Sequence, residues 1–172
     1  MNQRSILTSS AITALGLAFS LSNALAQTKS LKDQLVGTWT VISWEQTNKD
    51  GTKVQRFGAN PKGVNMFDAN GHFSIMFARP DLPKLASNDP TNPTPEEAKA
   101  ITVGSVAYFG TYTVDEPTKT IMLKIESSSL PNQLGIDQKR VITSLTADEL
   151  KYTNITAVAN AGQINAVYKR AK

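Results

Sequence analysis

The chain has 172 residues, a formal net charge of +4, 40% hydrophobic residues and no cysteine. That length suffices to close one hydrophobic core, and without cysteine neither disulfides nor thiolate chemistry or thiolate metal ligation are available to it. The positive excess is small. Its only tight cluster is Lys169, Arg170 and Lys172. The basic stripe interleaved with aromatics that a nucleic-acid binder presents is missing, so no nucleic-acid partner is expected.

Residues 1–26 read as a cleavable export signal. Arg4 supplies the positive start, Ile6 to Leu21 form an uncharged apolar run, and Ala24-Leu25-Ala26 is a small-x-small cleavage site. The apolar run is short and diluted by Ser and Thr, so no stable membrane span is expected. No Cys stands near the cleavage site and only one Arg precedes the run, so neither a lipoprotein anchor nor a twin-arginine signal is available. The reading predicts a periplasmic or secreted protein with one mature domain over residues 27–172.

Thr28 to Gln34 reads as a short polar helical lead-in. Val36 to Thr47 alternates as a strand, with Trp39, Val41, Ser43 and Glu45 on one face and Thr40, Ile42, Trp44 and Gln46 on the other. Asn48-Lys49-Asp50-Gly51 is a hairpin signal, because Asp-Gly accepts the positive φ angles of such turns. Short strands are predicted at Lys53 to Phe57, Val64 to Phe67 and His72 to Arg79. Pro80, Pro83, Pro90, Pro93 and Pro95 then enforce a long irregular connection. It runs into a helix over Pro95 to Val103, with Thr94 as cap and Glu97 at the capping-box position. Strands resume at Ser105 to Val114, Thr120 to Ser127, Lys139 to Leu145, Leu150 to Thr156 and Gln163 to Lys169, the last two joined by a turn at Ala157 to Gly162. The total, about nine short strands separated by tight turns, predicts an all-β antiparallel barrel of about eight to ten strands with one short helix inserted mid-chain. A two-sheet sandwich shares that spacing and stays open as an alternative.

Gly37-Thr38-Trp39 resembles the Gly-x-Trp opening of the lipocalins. An ordered set of blocks resembles more specifically the bacterial and fungal lipocalin-like domain family. These are Leu35 to Trp39 with Trp44-Glu45, Phe57 to Gly63, Arg79 to Lys84, Ala107 to Tyr112 and, more weakly, Asp137 to Arg140. The resemblance covers almost the whole mature chain. It implies a calycin-type barrel with a central cavity, and it implies no single activity, because the fold hosts binders and some enzymes. It also implies a structural role for Trp39 at the barrel base, with Arg170 or Lys169 packed across the indole. The chain departs from typical lipocalins in lacking disulfide pairs and in carrying the Pro-rich loop and the helix.

Candidate ligand-binding residues follow from strand faces. Phe77 and Arg79 continue the face of Phe73 and Ile75. If that face points inward, the Arg79 guanidinium stands at the cavity mouth and can grip a carboxylate or enolate oxygen; otherwise it pairs with Asp81 or Glu97 and pins the loop. Tyr108 and Tyr112 share a face across Gly110, which marks a bend or a close approach; they are pocket walls or ordinary barrel packing. Arg140 and Glu45 are polar strand residues that reach a cavity, face outward or form an internal ion pair. His72, the only histidine, reads as a polar residue beside a turn. No metal-ligand cluster, phosphate loop or nucleophile elbow is present, so no metal or cofactor is expected. Three functions fit: a carrier of a small, mostly hydrophobic ligand, a cyclase- or isomerase-type enzyme using the same cavity, and a structural envelope protein with a filled barrel.

Overall fold

The computed structural model describes residues 29–155 and 161–172. The export signal read at 1–26, the start of the lead-in at Thr28, the strand end read at Thr156 and the turn residues 157–160 lie outside the described residues. Nine strands are present among those described: β1 (Gly37–Asn48), β2 (Lys53–Val54), β3 (Lys62–Phe67), β4 (His72–Ala78), β5 (Ser105–Asp115), β6 (Thr120–Ser128), β7 (Gln138–Leu145), β8 (Glu149–Asn154) and β9 (Ala161–Arg170). All pairings are antiparallel. From β3 to β9 each strand pairs with its successor, β1 lies beside β3, and β9 returns to β1. The result is an eight-stranded closed barrel. Strand β2 only folds back on the far end of β1, pairing Gln46 with Val54 and Thr47 with Lys53. Closure of one sheet on itself rules out the sandwich, which needs two separate layers.

The helices are short. The lead-in forms α1 (Leu31–Leu35), capped by the Ser30 hydroxyl, which accepts from the Asp33 amide. Glu116 receives the Leu31 and Lys32 amides at 3.0 and 3.2 Å, placing a carboxylate at that helix start. The mid-chain helix α2 (Pro95–Gly104) carries the expected capping box, with the Glu97 amide donating to the Thr94 hydroxyl and the Thr94 amide donating to the Glu97 carboxylate. A single 3-10 turn covers Pro131–Gln133.

Register shifts interrupt the ladders at four places, and those on β1 and β6 bear most on the interior. On β1, Val41 pairs with Tyr168 and Ser43 with Val167, so Ile42 is an extra residue with no place in the ladder. Inward positions therefore run Trp39 and Val41 before the bulge, then Trp44 and Gln46 after it. The uninterrupted alternation expected from the sequence holds through the half-exposed Ile42 and fails after it, since Trp44 and Gln46 line the interior. On β6, Glu126 is the extra residue, because Phe109 pairs with Ser127 and Gly110 with Ile125. A Cβ at Gly110 would sit 2.0 Å from the Lys124 carbonyl oxygen, so the close approach anticipated at this glycine is a backbone-to-backbone contact.

One end of the barrel is plugged. Leu35 of α1 is fully buried, and the buried Trp39 indole donates to the Leu35 carbonyl at 2.8 Å. Arg170 lies 4.0 Å from the Trp39 ring centre, as the resemblance implied, while Lys169 is exposed. Tyr112 packs edge-on against Phe67 at this end, and its hydroxyl donates to the Asp68 carbonyl at 2.7 Å. Among the described residues no helix is long and apolar enough to cross a membrane.

Candidate functional site

Away from the plug, the barrel holds a cavity of about 90 Å³. Its apolar wall is Trp44, Phe57, Phe77, Val106 and Ile164, and its polar wall includes Gln46, Tyr108, Gln138, Arg140, Tyr152 and Asn154. Each strand sends alternate residues inward, so these side chains come from β1, β4, β5, β7, β8 and β9, with Phe57 from the loop after β2. Phe57 packs edge-on against Trp44 with ring centres 4.9 Å apart, and lies 5.7 Å from the Phe77 ring. The half-buried Arg56 and Gln133 stand at the rim. Arg56 is fixed there by the end of α2: its guanidinium donates to the carbonyls of Val103, Thr102 and Ser105 at 2.7, 3.1 and 3.3 Å.

Arg140 is the central polar group and is only 3% exposed. Its guanidinium donates to the Gln138 side-chain oxygen, to the Tyr108 hydroxyl at 3.3 Å and to the Lys139 carbonyl at 3.5 Å, and it lies 5.7 Å from the Tyr152 ring centre. Burial opposes its charged form. Burial is the largest single influence, but the contributions of Tyr108, Tyr152 and Tyr168 together outweigh it, and the group stays a cation with its pKa held above the ordinary arginine value. Deeper in, the Tyr152 and Tyr168 hydroxyls hydrogen-bond each other, and the Asn65 amide donates to Tyr152 at 3.5 Å. Burial pushes the Tyr152 phenol up to about 12 and that of Tyr168 well above its usual value. These tyrosines therefore remain protonated at neutral pH and act as hydrogen-bond donors.

Three of the ligand-binding residues read from sequence meet at this cavity: Phe77, Tyr108 and Arg140. Two do not. Arg79 lies beyond the end of β4, where its amide bonds to the Gly104 carbonyl at 2.8 Å and the chain turns at Pro80. Its exposed guanidinium forks onto the Asp81 carboxylate at 2.9 and 2.7 Å, tying the Pro-rich loop instead of facing the cavity. Tyr112 faces inward but four residues from Tyr108, a separation of about 13 Å along a strand, which puts it in the plug. Of the three readings open for Arg140, the structure shows the cavity one: it is inside the barrel and has no ion-pair partner among the described residues. Glu45 pairs with Lys53 across the β1–β2 hairpin at 2.8 Å, and the exposed His72 ring bonds to Asp68 at 3.0 Å.

Sequence reasoning missed Trp44, Gln46, Phe57, Gln138, Tyr152 and Asn154. Trp44 and Gln46 were lost to the bulge. The alternation Gln138, Arg140, Ile142 was a usable signal for β7, since its three members are all buried. Tyr152, with Leu150 and Asn154, continues the same kind of alternation on β8.

A closed eight-stranded barrel, plugged at one end and holding a side-chain-lined cavity, defines a calycin-type architecture with a hydrophobic interior consistent with ligand binding. Residues 36–169 match the model of the lipocalin-like domain, and the chain belongs to that family. No curated protein matches the sequence. Among solved structures it is similar to a redesigned β-barrel, at 13% identity and a TM-score of 0.43, covering 84% of this chain and 100% of that one. It is also similar to a de novo designed fluorescence-activating β-barrel, at 11% identity and a TM-score of 0.42, covering 83% and 99%.

Proposed function

We propose that the protein is an exported binding protein that holds one small, mostly hydrophobic molecule in the barrel cavity. The observation that carries this reading is the cavity wall: three aromatic rings, Trp44, Phe57 and Phe77, oppose a short set of convergent polar groups. Apolar walls with a few oriented polar groups are the usual composition of small-molecule sites. The volume, about 90 Å³, has room for on the order of half a dozen waters, which favours a compact ligand over a long lipid chain. Export rests on the charged start, apolar run and small-x-small site of residues 1–26.

The polar wall favours binding over turnover. Its described members are amides, tyrosines and arginines, and Tyr152, with its pKa at about 12, donates a hydrogen bond but does not abstract a proton at neutral pH.

Native mass spectrometry of the protein purified from its own periplasm, before any organic extraction, tests the reading. A reproducible bound small molecule that is lost from a Phe77→Trp variant, whose larger ring fills the cavity, is the expected result. An apo mass, together with no saturable uptake of small aromatic or aliphatic compounds by the purified protein, would overturn it. Fractionation that leaves the full-length chain in the cytoplasm would overturn the export element alone.

A further inference from the structure

We propose that the ligand is a small monocarboxylate and that Arg140, with Tyr108 beside it, is the anchor for its charged end. This rests on the binding-protein reading above and adds the chemical class of the ligand. A guanidinium taken out of water is costly unless an anion accompanies it. Arg140 is buried, and the four ion pairs among the described residues are Glu45–Lys53, Asp68–His72, Asp81–Arg79 and Glu149–Lys151. None includes Arg140, and no Asp or Glu lines the cavity. All its acceptors are neutral oxygens, and two of those three bonds are long, at 3.3 and 3.5 Å.

A guanidinium carries five donors in a planar fork that matches a carboxylate. A carboxylate entering from the cavity would supply the missing negative charge and accept charge-assisted bonds shorter than those now present. The Tyr108 hydroxyl lines the same cavity and can donate to the second oxygen. One negative charge matches the site better than two. The other cation at the rim, Arg56, is already bonded to three carbonyls at the end of α2, where the helix dipole favours a positive group. The rings of Trp44, Phe57 and Phe77 then receive the apolar body of the acid.

The test compares butanoate with butan-1-ol, both small enough for a cavity of about half a dozen waters; the alcohol keeps the body and removes the charge. Binding of each to the purified protein is measured calorimetrically at pH 7. The acid is expected to bind at least about tenfold tighter than the alcohol, the difference between a charge-assisted and a neutral hydrogen-bonded end. Arg140→Met should weaken the acid by about tenfold or more and the alcohol much less, closing the gap between the two. Because the variant removes a buried unpaired cation, it should fold with undiminished thermal stability. If Arg140→Met fails to fold, Tyr108→Phe supplies the second reading: a several-fold loss for the acid and a smaller one for the alcohol. Equal binding of acid and alcohol to the wild type would overturn the anchor and leave the carrier reading standing. Failure of both to bind at millimolar concentration would overturn the anchor and count against the carrier reading as well.

Discussion

Arg170 lies across the indole of Trp39 at 4.0 Å, and the same guanidinium donates to the carbonyls of Gln34, Val36 and Ala147. One side chain near the end of the last strand thus holds α1, the start of β1 and the β7–β8 turn around a buried tryptophan. Arg170→Ala should lower the free energy of unfolding by about 2–4 kcal/mol, combining the cation–π contact with lost hydrogen bonds to a charged donor. Arg170→Lys should recover only part, because an ammonium cannot fork onto three carbonyls and stack at once. Urea denaturation followed by Trp fluorescence measures both. An Arg170→Ala protein as stable as the wild type would show that the clamp is dispensable.

Gly110→Ala should be among the most damaging single-methyl additions in the chain. The new Cβ would stand 2.0 Å from the Lys124 carbonyl oxygen and 3.0 Å from the Glu126 amide, both backbone atoms of β6 at its bulge. Overpacking against backbone leaves no rotamer to yield, so a cost of about 3 kcal/mol or more is expected. Thermal denaturation of the purified variant checks it, with Gly135→Ala as a comparison where the added Cβ meets nothing within 4 Å but must accept a φ of +72°.

Alkaline pH should unfold the protein in a definite window. Tyr152 ionises near 10.0 when exposed and at about 12 in the folded barrel, with burial as the main cause. The folded state therefore holds this proton more tightly than the unfolded chain does. The associated stability is complete below pH 10 and is lost as the pH rises from 10 toward 12. Tyr168 shifts in the same direction. Urea midpoints measured from pH 8 to 12 should fall over this range, and Tyr152→Phe should flatten the fall. An absorbance titration in which Tyr152 and Tyr168 ionise at the ordinary phenol value would contradict the burial argument.

Arg79→Ala should leave ligand binding unchanged. The Arg79–Asp81 pair is exposed and ties a loop, and such surface pairs contribute about 0–1 kcal/mol. Parallel binding and melting curves for Arg79→Ala and Arg140→Met separate the two arginines. A loss of binding in Arg79→Ala alone would move the ligand's polar end to the loop.

The two arginines also mark where reading the sequence reaches its limit. The sequence by itself determined the all-β class, the capping box at Thr94 and Glu97, the hairpin at Asp50-Gly51 and the shared face of Phe73, Ile75 and Phe77, while the family resemblance pointed to the barrel and to the pairing of Trp39 with a C-terminal basic residue. These are legible because they depend on local turn chemistry, on the two-residue period of a strand, or on short motifs. Tertiary structure alone decided where that period breaks. The bulge at Ile42 exists only in the register between β1 and β9, strands separated by most of the chain, and it moves Trp44 and Gln46 to the interior. Arg79 falls out of the cavity because β4 ends at Ala78, where the return of α2 to Arg79 sets the boundary. Arg140 enters it without a carboxylate because barrel closure brings β5, β7 and β8 together around a space their own sequences do not describe. Face alternation is a property of one strand, whereas a cavity and the charge balance inside it are properties of all eight.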